Sequence, residues 1–351
     1  MVEERIDFVV TWVDGDDPAW RRDKLKYENV FSSSSGYQDR YTSKEDDAND
    51  DCRFKEYGFL RYWFRGVEAF APWVNKVFFI TCGQRPDWLN VHHPKIVCLN
   101  HSDYIPKPYL PTFNSNTIEL NLHRIESLSE RFVLFNDDVF LLRPITPDFF
   151  FHDGDPILLS SLRYPDTIGI NTWSHFAFNN YCLVNRCHDI GTSIWHNRKK
   201  WFSVSELGVK KALRNFLCYW ANMTIPFGNY GHIAQPNLKS TICDIWDKCY
   251  DELDLSSMHK FRADNQVNQW LFCAWNQALG KFYPGLLNKR GMRIQITPPY
   301  MDRIVEVITG QLTPQVCLND TYLNSEAGEC SRRIVSAFET IFPNKSTFET
   351  Y

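Results

Sequence analysis

The stretch NTIELNLHRIESLSERFVLFNDDVFLL (residues 116–142) carries two kinds of pattern in succession. In its first half Ile118, Leu122, Ile125 and Leu128 recur at helical spacing, so one apolar stripe runs along 116–128. Asn116 can cap that helix, with Glu119 three residues later as in a capping box. RFVLF (131–135) is a short apolar run of strand length, and it ends in Asn136-Asp137-Asp138 before VFLL returns to apolar residues. A helix followed at once by a buried strand is the repeating unit of α/β proteins.

The same unit recurs toward the N-terminus. IDFVVTWV (6–13) reads as a buried strand that stops at Asp14-Gly15-Asp16-Asp17-Pro18. Helical periodicity runs from near Phe54 to Phe70, and strands follow at KVFFIT (76–81) and KIVCL (95–99). Between them, the Ser- and Asp-rich 32–51 reads as a mobile loop. Downstream, PILLSS (156–161) is a further strand, 171–187 is aromatic without a clean period, and helices are expected at 237–250, at 264–279 and at the C-terminal RRIVSAFETIF. No internal repeat or linker is evident. The expectation is one catalytic domain: an α/β core over 6–160, an insertion over 161–230, and a helical part over 231–351 that completes the site.

At 351 residues, 44 % hydrophobic and 23 % charged, the chain can bury a real core. Aromatic residues at 15 % suit a core as well as a sugar or nucleotide site. A net charge of −4 lacks the basic footprint of a nucleic-acid binder. MVEERIDFVVTW has no basic n-region followed by an apolar stretch, and no apolar run is long enough to span a bilayer, so a cytoplasmic protein is expected. The eleven cysteines match neither zinc-ribbon nor CxxC spacing and read as free thiols of a reducing compartment.

In open α/β sheets ligands bind beyond the carboxyl ends of the strands. Acids stand at two such ends, Asp14/Asp16/Asp17 and Asp137/Asp138. Adjacent carboxylates repel unless a cation or strong donors hold them, and their hard oxygens suit Mg²⁺ or Mn²⁺. If the chain stays extended at 136–138, Asn136 and Asp138 share a face and Asp137 points away. The bland alternative is a solvated turn, against which the return to VFLL speaks. Ser115 and Glu119 open a helix, where capping or phosphate binding would each explain them. His232, in GHIAQP, and Arg262, in HKFRAD, read on their own as a packed histidine and a surface charge.

Taken together, the motifs resemble those of the Stealth proteins: bacterial capsular polysaccharide phosphotransferases, related to the catalytic core of the animal lysosomal-enzyme GlcNAc-1-phosphotransferase. The four blocks of that family resemble IDFVVTWVDGDDPAW (6–20), RFKEYGFLRYWFRGVEAFAPWVNKVFFITCGQRPDWLN (53–90) continuing through 101–142, the stretch from His232 to the helix after Arg262, and VCLNDTYL (316–323). The resemblance implies a GT-A-like nucleotide-sugar-binding sheet flanked by helices, with helical insertions. It also implies a UDP-sugar donor, a glycan acceptor and a divalent metal, and it puts active-site positions at Asp14, Ser115, Glu119, Asp137, Asp138, His232, Arg262, Asn319 and Asp320.

Within that resemblance the acceptor hydroxyl attacks the sugar-bearing phosphorus and UMP leaves, with GlcNAc-1-phosphate or a similar N-acetylhexosamine-1-phosphate transferred. Asp138 and Asp320 are expected at the metal, Arg262 on the transferring phosphate, and Asp14 with Ser115, Glu119 and Asn319 on the substrates. The general base is His232 or Asp137. A conventional glycosyltransferase releasing UDP and a glycan-binding protein with a degenerate site are the competing classes. The basic, aromatic segment 197–220 lies between the blocks. It reads as a solvated helix, a surface for the polymer, or a contact for the inner face of the cell membrane.

Overall fold

The computed structural model describes residues 5–33, 49, 54–162, 172–221, 232–286, 289–319 and 327–350. Apart from Ser32, Ser33 and Asn49, the expected loop 32–51 lies outside the described residues, as does Asp320. The strands run β1 (Ile6–Thr11), β2 (Val77–Thr81), β3 (Ile96–Asn100), β4 (Arg131–Asn136), β5 (Val139–Leu141), β6 (Phe151–His152), β7 (Asp155–Leu159), β8 (Gln235–Leu238), β9 (Tyr283–Gly285), β10 (Met292–Gln295) and β11 (Gln315–Asn319).

The main sheet has the order β3-β2-β1-β4-β8, parallel except for β8, which runs antiparallel to β4. Its central strands are buried on both faces, which is why they appear in sequence as unbroken apolar runs. Alternation along each strand divides the core in two. Phe8, Val10, Phe79 and Phe135 meet Trp63 and Phe64 of the helix Leu60–Phe70 and Phe338 of the helix Ala327–Ile341. Val9, Phe78, Phe132 and Leu134 meet Ile242 and Ile245 of the helix Lys239–Lys248, with Leu271 and Phe272 of the helix Trp270–Leu279. The protein is therefore an α/β sheet flanked by helices, as expected.

From β1 the chain passes to β2 and β3 on one side, then returns to β4 on the other. The switch point, where α/β folds bind ligands, lies between β1 and β4. Register pairs Thr11 with Asn136, so the loops leaving both strands emerge side by side. A second sheet, β10-β11-β5, places β11 across β5, and the Leu318 N–H donates to the Asp138 carbonyl at 2.9 Å. Asn319 is thereby brought against the aspartates.

Several boundaries differ from expectation. The first of these helices starts at Leu60 rather than near Phe54, because the Glu56 carboxylate accepts the N–H groups of Gly58 (2.7 Å) and Phe59 (3.0 Å), and Gly58 takes a positive φ of 82°. The helix expected over 116–128 is Ser115–Leu120 followed by a 3₁₀ turn, Leu122–Arg124. Its cap is Asn114, not Asn116, with the Asn114 side chain accepting the Asn116 N–H. The helix break falls at Asn121, whose amide donates back to the Thr117 carbonyl and across to Ser257. The 237–250 helix ends at Lys248, and a second, Tyr250–Met258, follows. The 264–279 helix starts only at Trp270, since buried Gln266 and Asn268 spend their side chains on loop backbone and Asn180. The third part of the chain is not only helical, because β8 completes the main sheet and β10 and β11 build the second.

The aperiodic 171–187 forms the helix Thr172–Cys187. Its inward face includes buried Asn180, paired with Asn268 at 2.7 Å, so a polar residue interrupts the apolar stripe. The described cysteines form no disulfide. No helix among the described residues is long and apolar enough to cross a membrane.

Candidate active site

Beyond the switch point lies a cleft of about 170 Å³. Its floor is Thr11, Trp12 and Val13 after β1 and Asn136, Asp137 and Asp138 after β4. Ser115, Glu119, His232, Arg262 and Asn319 line it as well, so seven of the expected site residues face one space. A second cavity of about 100 Å³ shares Trp12, Asp137, Asp138 and Asn319 and adds Lys55, Glu56 and Tyr57. The aspartates thus form a partition between the two.

The chain turns at Asp137-Asp138 rather than staying extended, and both residues line the cleft. Asp137 keeps exposed surface, yet desolvation of its carboxyl at the cleft floor and the neighbouring charges of Asp138 and Glu56 push its pKa above the usual carboxylate range. Asp138 Oδ2 accepts the buried Cys317 thiol at 3.3 Å.

Asp14 does not line the cleft. Its carboxylate accepts the Asp16 N–H at 2.9 Å, while Gln84 clamps its backbone with one bond to its N–H (2.9 Å) and one to its carbonyl (2.8 Å). A short polar side chain after a strand caps its own turn more readily than it reaches out. Gly15 presses on Phe54, to whose carbonyl it donates at 2.7 Å, and a Cβ at Gly15 would overlap that carbonyl. This contact seats Phe54 in the cleft wall.

Arg262 reaches Ser115 through a zipper of buried bonds. Asn114 donates to the carbonyls of His259 (3.3 Å) and Phe261 (3.2 Å), Thr117 donates to the His259 carbonyl (3.2 Å), and the Phe113 N–H to Lys260 (2.9 Å). Phe113 and Phe261 stack at 5.4 Å. The Asn49 amide holds the Arg262 backbone at both its N–H (3.0 Å) and its carbonyl (3.1 Å). The guanidinium then donates to Ser115 Oγ at 2.8 Å and lies over the Trp173 ring at 5.7 Å. A residue that reads as a surface charge is a fixed, oriented cation.

His232 has a left-handed backbone, φ 43°. That conformation is uncommon for a residue with a Cβ, and it persists where the surroundings over-determine it. Its ring stands edge-on between Trp173 (5.3 Å) and Trp270 (5.9 Å). Both tryptophans, and Trp12, are cleft residues that sequence reasoning missed; Trp173 sits in the stretch without a period. Trp12, Asn116 and Asn319 each bury a side-chain N–H with no acceptor among the described residues. Four other tryptophan or amide N–H groups in the described core share this condition, but only these three line the cleft, where a ligand can supply acceptors.

Glu119 is buried beneath Ser115. Burial pushes its carboxyl up to about 8 even though the Arg262 charge and the Ser115 hydroxyl pull it down. Buried Tyr104 is its other titratable neighbour. Between pH 4.5 and about 8 the folded chain therefore holds a proton that the unfolded chain has lost. The resulting stability is complete below that window and is lost as pH rises through it. Glu119→Gln should melt several degrees higher than the parent at pH 8.5 and at nearly the same temperature at pH 5, a difference on the order of 2 kcal/mol at the higher pH. Equal shifts at both pH values in thermal melts would contradict this.

Residues 4–29 match the family model Stealth protein CR1, conserved region 1, and residues 53–157 match Stealth protein CR2, conserved region 2. The capsular polysaccharide phosphotransferase WcwK of Streptococcus pneumoniae is 38% identical over 344 residues, 98% of this chain and 98% of that protein. The receptor polysaccharide phosphotransferase WefC of Streptococcus gordonii is 35% identical over 348 residues, 99% of each. Among solved structures, the galactosyltransferase LgtC in complex with donor and acceptor sugar analogs covers 95% of each chain at 9% identity and a TM-score of 0.40. Identity at the level of WcwK and WefC along the whole chain, with the two matched regions supplying the loops after β1 and β4, makes this chain a transferase of the Stealth family.

Proposed function

We propose that the protein transfers a hexose-1-phosphate, GlcNAc-1-phosphate or a similar N-acetylhexosamine-1-phosphate, from a UDP-sugar to a glycan hydroxyl. UMP leaves and a phosphodiester joins the two sugars, in capsular or cell-surface polysaccharide synthesis at the cytoplasmic side. The relatives named phosphotransferases support the reaction class. The observation that carries the reading is the cleft's mixed polarity, with an oriented guanidinium and three buried N–H donors opening on the same space as two adjacent aspartates. An anion accompanied by a cation satisfies both.

Among the described residues no three His, Cys, Asp or Glu side chains gather as a metal site. Mg²⁺ needs no such trio, because it takes one or two carboxylates and completes its shell with water and substrate phosphate. The oxygens of Asp137, Asp138 and Asn319 fit such a hard ion, Mg²⁺ or Mn²⁺, with Asp138 as its main ligand; Asp320, expected as a second ligand, lies outside the described residues. When bound, the ion supplies neutralisation of the diphosphate charge.

Phosphoryl transfer is catalysed mostly by positioning and charge. Arg262 forks onto the transferring phosphoryl group, held in orientation by Ser115 and Trp173. The donors of Trp12, Asn116 and Asn319 meet the acceptor-rich nucleotide sugar. Trp173 and Trp270 meet the His232 ring edge to face and hold its orientation. His232 takes the proton from the attacking hydroxyl, with Asp137 as its rival. In-line displacement puts nucleophile and leaving group on opposite sides of phosphorus, which suits an acidic partition between two cavities.

Two experiments test this reading. Incubation with UDP-GlcNAc, Mg²⁺ and a glycan acceptor should accumulate UMP. Accumulation of UDP would instead establish a conventional glycosyltransferase. His232→Asn, chosen because Asn tolerates the left-handed backbone, should lower turnover ~100-fold without loss of fold and remove a titration from the kcat/KM profile. Unchanged turnover would hand the proton to Asp137.

A further inference from the structure

The helix Val209–Trp220 has two apolar faces where one would be expected. Ala212, Asn215 and Cys218 are buried against the protein. On the outside stand Val209, Leu213, Phe216, Leu217 and Trp220, all exposed, with Trp220 at 78%. Their spacing is that of a core-facing helical stripe. The helix cannot rotate to bury them, because Asn215 fixes its roll: the buried amide donates to the Ser160 (3.1 Å) and Trp201 (2.8 Å) carbonyls and accepts the Leu162 N–H (3.0 Å). Exposed Trp195, stacked on Tyr219 at 5.8 Å, and exposed Val204 extend the patch.

Charge around the patch is reversed relative to the rest of the chain. Residues 190–221 contain Arg198, Lys199, Lys200, Lys210, Lys211 and Arg214 against one acid, Glu206, while the chain as a whole is at −4. Arg198, Lys199, Lys210 and Arg214 are exposed beside the apolar stripe. An aliphatic and aromatic stripe edged by Lys and Arg is the pattern of a helix lying in a bilayer interface.

We propose that this face docks on an anionic lipid surface. The stripe Val209, Leu213, Phe216, Leu217 and Trp220 enters the boundary between headgroups and acyl chains, and the flanking cations meet lipid phosphates. Two alternatives fit less well. A second copy of the chain would bring two strongly basic faces together, which repel. A sugar polymer would set hydroxyls against Val209, Leu213 and Leu217, side chains that offer no hydrogen bond in return for the lost water. The inference concerns attachment only and stands apart from the chemistry in the cleft.

The test is co-sedimentation of the full chain with vesicles of phosphatidylcholine and phosphatidylglycerol (3:1), beside pure phosphatidylcholine, in low and high salt. Binding is expected to the anionic vesicles and to weaken at high salt. Leu217→Ser/Trp220→Ser and, separately, Lys199→Glu/Lys210→Glu should each reduce partitioning at least ~10-fold. Melting temperature and turnover on water-soluble substrates should stay at parental values, showing that the fold is kept. Absence of binding, equal binding to the neutral vesicles, or binding that survives both pairs of substitutions would overturn the proposal. So would a vesicle-free dimer, seen by light scattering, that the Leu217/Trp220 pair abolishes.

Discussion

Asp138→Asn should lower turnover ~1000-fold while the protein stays folded, because it removes one charge from a position that the main chain holds. The Asp138 carbonyl accepts the Leu318 N–H at 2.9 Å, and β5, which begins at the next residue, is paired with β11. Asparagine has the same shape and keeps an oxygen for the Cys317 thiol. What disappears is the formal charge that, in the proposed reaction, keeps a divalent cation beside the diphosphate. The measurements are steady-state turnover across a Mg²⁺ or Mn²⁺ titration and a thermal melt. A melting temperature within a few degrees of the parent, with activity that saturating metal does not restore, is the expected pair. Turnover within tenfold of the parent would take Asp138 out of the scheme.

Arg262→Lys, which keeps the charge, should cost nearly as much, again ~1000-fold, because the site uses the shape of the guanidinium as well as its sign. One edge of that group is engaged by Ser115 Oγ and its face lies over Trp173, which fixes the orientation of the guanidinium plane. An ammonium would satisfy one such contact and present no fork. The loop carrying Arg262 does not depend on this side chain, since Asn114, Thr117 and Asn49 hold its backbone. Stability should therefore stay close to that of the parent. Because the fork acts on charge that develops during transfer, kcat should fall more than donor KM rises. A rise in KM with kcat preserved would make Arg262 a ground-state binding group only.

The central sheet is legible in the sequence because parallel strands buried on both faces need uninterrupted apolar runs, and IDFVVT and RFVLF supply them. Their carboxyl ends then locate Asp137 and Asp138. Legibility fails where polar side chains do the packing. Asn180 occupies a core-facing slot and hides a helix, and Asn121, bonded to Ser257, ends another two turns early. Phe54, Tyr57 and Leu60, three residues apart, mimic a helical face, although Glu56 holds the backbone of a turn before a helix that starts at Leu60. Asp14 shows a different limit: adjacency to a strand end does not say whether a carboxylate looks outward or closes its own turn, as its bond to the Asp16 N–H does here. That His232 and Arg262 face the aspartates could be read only through the family resemblance, because the bonds that bring Arg262 to Ser115 join residues well over a hundred positions apart.

The side chain of Asn49 grips Arg262 much as a neighbouring strand would, at N–H and carbonyl together. It does so from within a Ser- and Asp-rich stretch that anyone shortening the protein for crystallisation would excise first. Deleting that stretch would release one side of the Arg262 loop, and a trimmed enzyme would lose activity through the aim of its guanidinium although Arg262 itself was untouched.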